Sequence, residues 1–342
     1  MRSLIILFFA VISSISFFGC KDSSPITPTD QSNINLVSVY STNASTNGVY
    51  VLPINFRNYA LIADGTNGMQ IIDVTQVNLP DSVASYNTDG SANDITAATV
   101  NGELYAFISD YSNGMVIVDI SAPTNPFLVG TLNPSGEYIN SCYIDVNNEI
   151  AYISSATGTI RIYDISTLPN QPNLISVFYT NSQSLNGLFV SGAYLYIACG
   201  DIGLKILNIS NPSTPQYVSV FNTTGIATDV VINTNYAYVA DSYNGMLILD
   251  VTNPAAPILK SKFSASGQIL GVYVSNNNVF CADNTYGIEN VNVSNPNSPG
   301  KAGYIQTNSS ANNIFYFGGY IFLAAAEGGL GIYQPLNTSD YR

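Results

Sequence analysis

One pattern recurs from Tyr59 to the C-terminus, and it limits the folds open to this chain more than any other feature. Its clearest copies are YALIADGTNGMQIIDVT from Tyr59, YAFISDYSNGMVIVDIS from Tyr105 and YAYVADSYNGMLILDVTNPAAP from Tyr236; weaker copies begin at Tyr152, Tyr194, Val279 and Tyr320. Aligned on the polar residue that closes the second apolar run of each copy, they give Asp73, Asp119, Asp164, Asn208, Asp250, Asn292 and Gln334, spaced by 46, 45, 44, 42, 42 and 42 residues. Units this short bury their apolar faces only by stacking on like units. Each holds four short apolar runs without helical periodicity; in the fifth they are Thr228–Ile232, Ala237–Ala240, Met246–Val251 and Ile258–Phe263. Four strands per forty-odd residues predict the blades of a β-propeller.

Composition agrees: 46% of residues are hydrophobic, 9% are charged and 24 are Tyr, which suits many half-buried strands and neither disorder nor long solvated helices. Between the second and third runs, Asn67-Gly68, Asn113-Gly114 and Asn244-Gly245 predict hairpin turns that use positive φ. After the third run comes a Pro-x-x-Pro element, as at Pro212 and Pro215 or Pro254 and Pro257, expected to stop one strand and shield the exposed outer strand that follows. The last unit has only three runs, near Asn313–Phe317, Tyr320–Ala324 and Gly329–Tyr333, while an extra run, Asn35–Tyr40, precedes the first full unit. Pairing the two would leave no free sheet edge at the join. The expected fold is therefore all-β: a seven-bladed propeller of four-stranded antiparallel blades over residues 35–336, closed by an N-terminal outer strand that completes the last blade, with a tail at 337–342.

Met1-Arg2 and the apolar run Leu4–Phe18 read as a signal peptide over residues 1–19, too short to span a bilayer comfortably. The run ends in Phe17-Phe18-Gly19-Cys20, which resembles the lipobox of bacterial lipoproteins, with Phe17 where Leu is commonest. That resemblance implies cleavage before Cys20, acylation of Cys20 and a membrane as partner; the alternative is an ordinary secretory leader. Lys21 after the cysteine resembles the sorting signal for an outer membrane, giving an expected address in the cell envelope, at the outer membrane or cell surface. Residues 20–34 are Ser/Thr/Pro/Asp-rich and read as a tether. Cys142, Cys199 and Cys281 lie in apolar strands and are odd in number, so they read as buried free thiols.

The repeat itself resembles the LVIVD repeat of bacterial and archaeal surface proteins. The resemblance rests on Met115-Val116-Ile117-Val118-Asp119-Ile120, Leu247-Ile248-Leu249-Asp250-Val251 and Gln70-Ile71-Ile72-Asp73-Val74, with flanking Tyr-x-Tyr-Val-Ala-Asp and Asp-Val-Thr-Asn-Pro elements, and covers about residues 35 to 335. It implies a propeller and assigns no chemistry. Blades three and six depart from it, through Gly158 and Glu289-Asn290, and local irregularity is expected there.

Charge and composition exclude several functions. The formal net charge of −13 becomes −14 once Arg2 leaves with the leader, and the remaining basic residues are scattered, so nucleic acid is not an expected partner. The chain has no His and no Trp, which removes a Ser-His-Asp triad and a His metal centre, and no enzymatic role is expected. A propeller is expected to bind where its inner strands begin and its second strands end. Two polar rings fall there by register: Asn47, Asp94, Asn140, Asn186, Asp229 and Asn313 at the inner-strand starts, and Asp64, Asp110, Asp241 and Asp283 at the second-strand ends. Their oxygens suit Ca2+ or sugar hydroxyls; the competing account is that Asn and Asp there shape turns. The series Asp73, Asp119, Asp164, Asn208 and Asp250 reads as turn-forming. The expected function is a non-catalytic binding module for protein or carbohydrate, the alternatives being a scaffold component of an envelope complex or a polysaccharide-acting enzyme.

Overall fold

The third run of a repeat lies sandwiched between neighbouring sheets, as Met115–Asp119, buried along its whole length, illustrates. A computed structural model describes residues 33–182 and 184–336. Their strands form seven sheets of four antiparallel strands, and no helix occurs among the described residues. In blade one the order from inside to outside is Gly48–Ile54, Arg57–Ala63, Met69–Asp73 and Asp81–Tyr86. Each inner strand packs on the inner strands of the blades beside it, including blade seven on blade one, so the sheets close into the expected seven-bladed ring. The core is accordingly divided into slabs between sheets: Tyr105, Phe107 and Ile117 of blade two, for example, meet Cys142, Ile144 and Ile153 of blade three.

Blade seven takes Asn313–Phe317, Tyr320–Ala324 and Leu330–Pro335 from the C-terminal end and Ile34–Tyr40 from the N-terminal end. The two ends pair antiparallel, Ile34 opposite Pro335 and Tyr40 opposite Leu330. The closing strand starts one residue earlier than expected, inside what reads as tether. Ile34 is fully buried, clustered with Phe280, Ile288 and Tyr333, and Asn33 Nδ2 donates to the Ala302 carbonyl of blade six at 2.8 Å, so apolar burial pulls both residues into the ring. The leader, Cys20 and the tail 337–342 lie outside the described residues.

Every outer strand carries one register shift against its third strand, a bulge that twists an exposed edge away from further pairing. Beside four of these bulges a serine hydroxyl crosses to the next blade: Ser38 donates to Val77 O at 2.5 Å, and Ser176, Ser219 and Ser261 donate to the carbonyls of Pro212, Pro254 and Pro296 at 2.6 Å. The proline element thus shields its neighbour's outer strand, and the shielding is hydrogen-bonded.

The hairpins expected between second and third strands form, with the glycine of each Asn-Gly pair at positive φ; the loop runs from Asp64 to Gly68, and Asn67 donates its side chain to Asp64 Oδ2 at 2.9 Å. Asn113 and Asn244 treat Asp110 and Asp241 the same way. In blades three and six the third strands carry only the bulge shared by all blades, and the extra register shift lies in the inner strands, at Ile139/Ser141 and Ile269/Gly271. Glu289 fits into its strand because Lys301, 2.7 Å away, compensates its buried charge. The three described cysteines are free and buried, as their apolar contexts imply.

A polar mouth on the upper face

Call upper the face where inner strands begin. There, in five blades, a backbone N–H at the start of the inner strand bonds to a carbonyl at the end of the second strand: Asn47 to Ala63, Asn93 to Ser109, Asn186 to Ala198, Thr228 to Ala240 and Asn312 to Ala324, with Asn140 and Leu270 at the matching place in blades three and six. These bonds define one position around the ring, occupied in blade order by Asn47, Asn93, Asn140, Asn186, Thr228, Leu270 and Asn312. The next residues inward are Gly48, Asp94, Ser141, Gly187, Asp229, Gly271 and Asn313. The six residues of the first predicted ring therefore come from two adjacent positions, three from each. Both positions line one cavity of about 280 Å³ at the mouth of the central channel, which brings Asn47, Asp94, Asn140, Asn186, Asp229 and Asn313 together. Asn93, Ser141, Thr228, Leu270 and Asn312 also line it and escaped the sequence reading. The doublets Asn93-Asp94, Thr228-Asp229 and Asn312-Asn313 were the available signal, since two successive polar residues at a strand start offer two registers.

Five side chains at the outer of these positions bond to a backbone carbonyl of the following blade: Asn47 to Ala92 at 3.0 Å, Asn140 to Leu185 and Asn186 to Ala227 at 2.9 Å, Thr228 to Ile269 at 3.1 Å, and Asn312 to Thr46 at 3.2 Å. The last crosses the closure. The two carboxylates bridge blades as acceptors: Asp94 takes the Ser141 hydroxyl at 2.6 Å, and Asp229 takes the Val272 N–H at 3.0 Å. Burial pushes both carboxyls up, for Asp94 against the opposing pull of Ser141, Ile95 and Cys142. Asp229 reaches about 7, with burial first and the charge of Asp94 adding to it. These acids belong to blades two and five, so they sense each other across the channel. The side chains of Asn47, Asn140, Ser141, Asn186, Thr228 and Asn312 each spend a donor on a blade-to-blade bond.

The second predicted ring does not join the cavity. Asp64, Asp110, Asp241 and Asp283 are fully buried and act as anchors for loops. Asp110 accepts from Thr88 Oγ1 at 2.6 Å, Gly90 N at 2.9 Å and Asn113 Nδ2 at 3.0 Å; Asp241 accepts from Gly225 N at 3.0 Å and Asp283 from Gly267 N at 2.9 Å. A carboxylate at the end of the second strand is better solvated by these loop donors than by the channel, which is the physical reason it turns away. Asp73, Asp119, Asp164, Asn208 and Asp250 each accept the N–H two residues on, at 2.9–3.0 Å, and so make the turns expected of them. Among the described residues no three His, Cys, Asp or Glu converge as a metal-binding group, so a cation at the mouth would need amide oxygens besides Asp94 and Asp229.

Comparison with curated proteins gives no match. Among solved structures, a computationally designed protein called Ika8 superposes with a TM-score of 0.60 at 12% identity, over 89% of this chain and 100% of its own; at that identity the likeness concerns the fold alone. The LVIVD repeat matches residues 57–88, 89–133, 185–223, 224–265 and 266–307, more than half of the chain and in phase with the blades. On the strength of those in-phase matches, the chain belongs to the LVIVD-repeat family.

Proposed function

We propose that this protein is a lipid-anchored cell-envelope binding module whose upper mouth takes a neutral or cationic, hydroxyl-rich ligand, a carbohydrate or a polar protein segment. The observation that carries the reading is the convergence of Asn, Asp, Ser and Thr from all seven blades but the sixth on one cavity that holds two carboxylates, Asp94 and Asp229, and is lined by no basic side chain. Carboxylate and amide oxygens with no basic side chain beside them welcome hydroxyls, ammonium groups or a hard cation and repel anions. Exposed tyrosines on the same face, including Tyr243 and the stacked pair Tyr111 and Tyr138 with centroids 4.8 Å apart, add flat apolar surfaces of the kind that sugar rings pack against. Absence of His supports a non-catalytic role. The anchor at Cys20 and the outer-membrane or surface address rest on the leader.

Calorimetry with calcium and with a glycan panel tests the mouth. Heat from a ligand that disappears in Asp94→Asn with Asp229→Asn supports it; no heat from any ligand, or heat unchanged in that double variant, removes it. Because Asp229 titrates near 7 and binds a cation only when ionised, any calcium affinity falls as pH drops from 8 to 5.5. Protease accessibility of intact cells tests the address.

A further inference from the structure

The exposed large side chains differ between the two faces. Around the upper face they are predominantly tyrosines: Tyr111, Tyr138, Tyr179, Tyr243 and Tyr286. Third strands end and outer strands begin at the lower face, and there the exposed side chains are predominantly Phe, Leu and Ile, among them Phe56, Leu79, Phe127, Leu174, Ile258 and Leu336. The lower face thus carries exposed apolar side chains in blades one, two, three, five and seven. Phe56 is the extreme case. It is 105% exposed at the tip of the hairpin joining the first two strands of blade one, with φ of 66° in the left-handed region where Gly102 and Gly319 stand at the corresponding tips of blades two and seven. A bulky residue is disfavoured in that conformation, and here it leaves the aromatic ring fully in solvent.

The path of the chain names what this rim meets. The closing strand Ile34–Tyr40 rises from the lower face, and Leu336 N donates to Asn33 O at 2.7 Å, so the described chain starts and ends together at the lower rim. Leu79 belongs to the loop whose Val77 carbonyl accepts from Ser38 of that same closing strand. The chain that carries Cys20, 13 residues before Asn33, therefore leaves the propeller at its lower rim, the rim that also holds Leu79 and Leu336.

We propose that the lower rim rests on the bilayer that holds the anchor, with Phe56 and Leu79 entering its interfacial layer, so that the polar mouth faces away from the membrane. This rests on the lipid-anchor reading. Apolar side chains in the headgroup region add to an acyl anchor because each buried methylene strengthens membrane binding. The turn acids Asp73, Asp119, Asp164 and Asp250 lie at the same face, so the favoured lipid is zwitterionic.

The test uses the full-length acylated protein in phosphatidylcholine vesicles that contain a nitroxide-lipid quencher, with a fluorophore on Phe56→Cys, Leu79→Cys or Tyr243→Cys. The native Cys142, Cys199 and Cys281 are buried and stay unlabelled in the folded protein. Quenching several-fold stronger at positions 56 and 79 than at 243 is expected. Phe56→Gly, which suits the left-handed turn and keeps the fold, should weaken quenching at 79. Uniform quenching, or strongest quenching at 243, in vesicle-bound protein overturns the proposed seat while leaving the anchor intact. Weak quenching at 56 together with self-quenching that rises with protein density makes a second copy the occupant, which also overturns it. Mass spectrometry of the Cys20 peptide reads the anchor separately: an unmodified cysteine with no vesicle binding removes the anchor reading and this proposal together.

Discussion

At the scale of single residues, repetition provides internal controls. In blade one Gln70 donates to Asp64 at 2.5 Å, and in blade two Thr88 donates to Asp110. Blade six has Glu289 at the position of Gln70 and Ala265 at that of Thr88, so Asp283 loses both donors and gains a second acid. Ser266 and Lys301 hold one Glu289 oxygen and Gly267 holds one Asp283 oxygen, while Asp283 Oδ1 and Glu289 Oε2 are buried without a partner. Burial, then the Glu289 charge, raises Asp283 to about 6; Lys301 on the outer strand opposes this. An acid whose folded pKa lies above its unfolded value contributes stability below the unfolded pKa and loses it as pH climbs through the folded one. Thermal stability should therefore fall between pH 4 and pH 7, and Asp283→Asn should flatten that fall and add about 1–2 kcal/mol at pH 7.5. Melting curves of the two proteins across this range check it; parallel profiles would refute the assignment. Asp283 was legible as a polar strand end, but its inward turn was not, because the donors that attract it come from a loop sixteen residues earlier.

Elements are joined by devices that repeat once per blade. The loop between second and third strands ends in a glycine whose φ is 86° at Gly114, and a Cβ there would lie 2.2 Å from Leu132 O of the outer strand. Gly114→Ala is expected to cost about 2–4 kcal/mol, read as a lower urea midpoint with little change in slope. At the lower rim, Ser261→Ala removes the hydroxyl that reaches Pro296 and should cost about 1 kcal/mol. If Ser261→Ala matches the parent while Gly114→Ala falls, the outer stitch contributes nothing and packing alone holds the rim. Strand placement was readable from apolar runs because burial between two sheets leaves nearly continuous hydrophobic segments, as in Met246–Asp250. Turn type was less readable. Asn67 and Asn113 stand in Asn-Gly pairs but serve a neighbouring carboxylate, and a dipeptide carries no record of which side chain its Asn will meet.

The molecule as a whole depends on one strand. Ile34–Tyr40 covers the edge of Leu330–Pro335, fills the gap beside blade six and carries Ser38 to blade one. Deleting residues 33–40 should uncover a sheet edge and an apolar slot, lowering the melting temperature and producing oligomers in light scattering. A synthetic peptide of residues 33–40 should reverse both effects. A truncated protein that stays monomeric and melts with the parent would show that the ring does not need its N-terminal strand.

By itself, the sequence determined the repeat length, the count of seven blades, the order of strands within them and the need for an outer strand from the N-terminal end. These follow from burial, and burial is written in local apolar periodicity. Only the tertiary structure decided that both residues of each polar doublet line the mouth, that the bonds between blades come from Thr228 and Asn312 at one position and from Asp94 and Asp229 at the next, and that the second ring of acids turns to its loops. Strand side chains alternate faces, so register decides which neighbour each side chain meets. That match is made by hydrogen bonds to the next blade, between residues 41–47 apart, or 266 apart at the closure, and no local segment contains both partners.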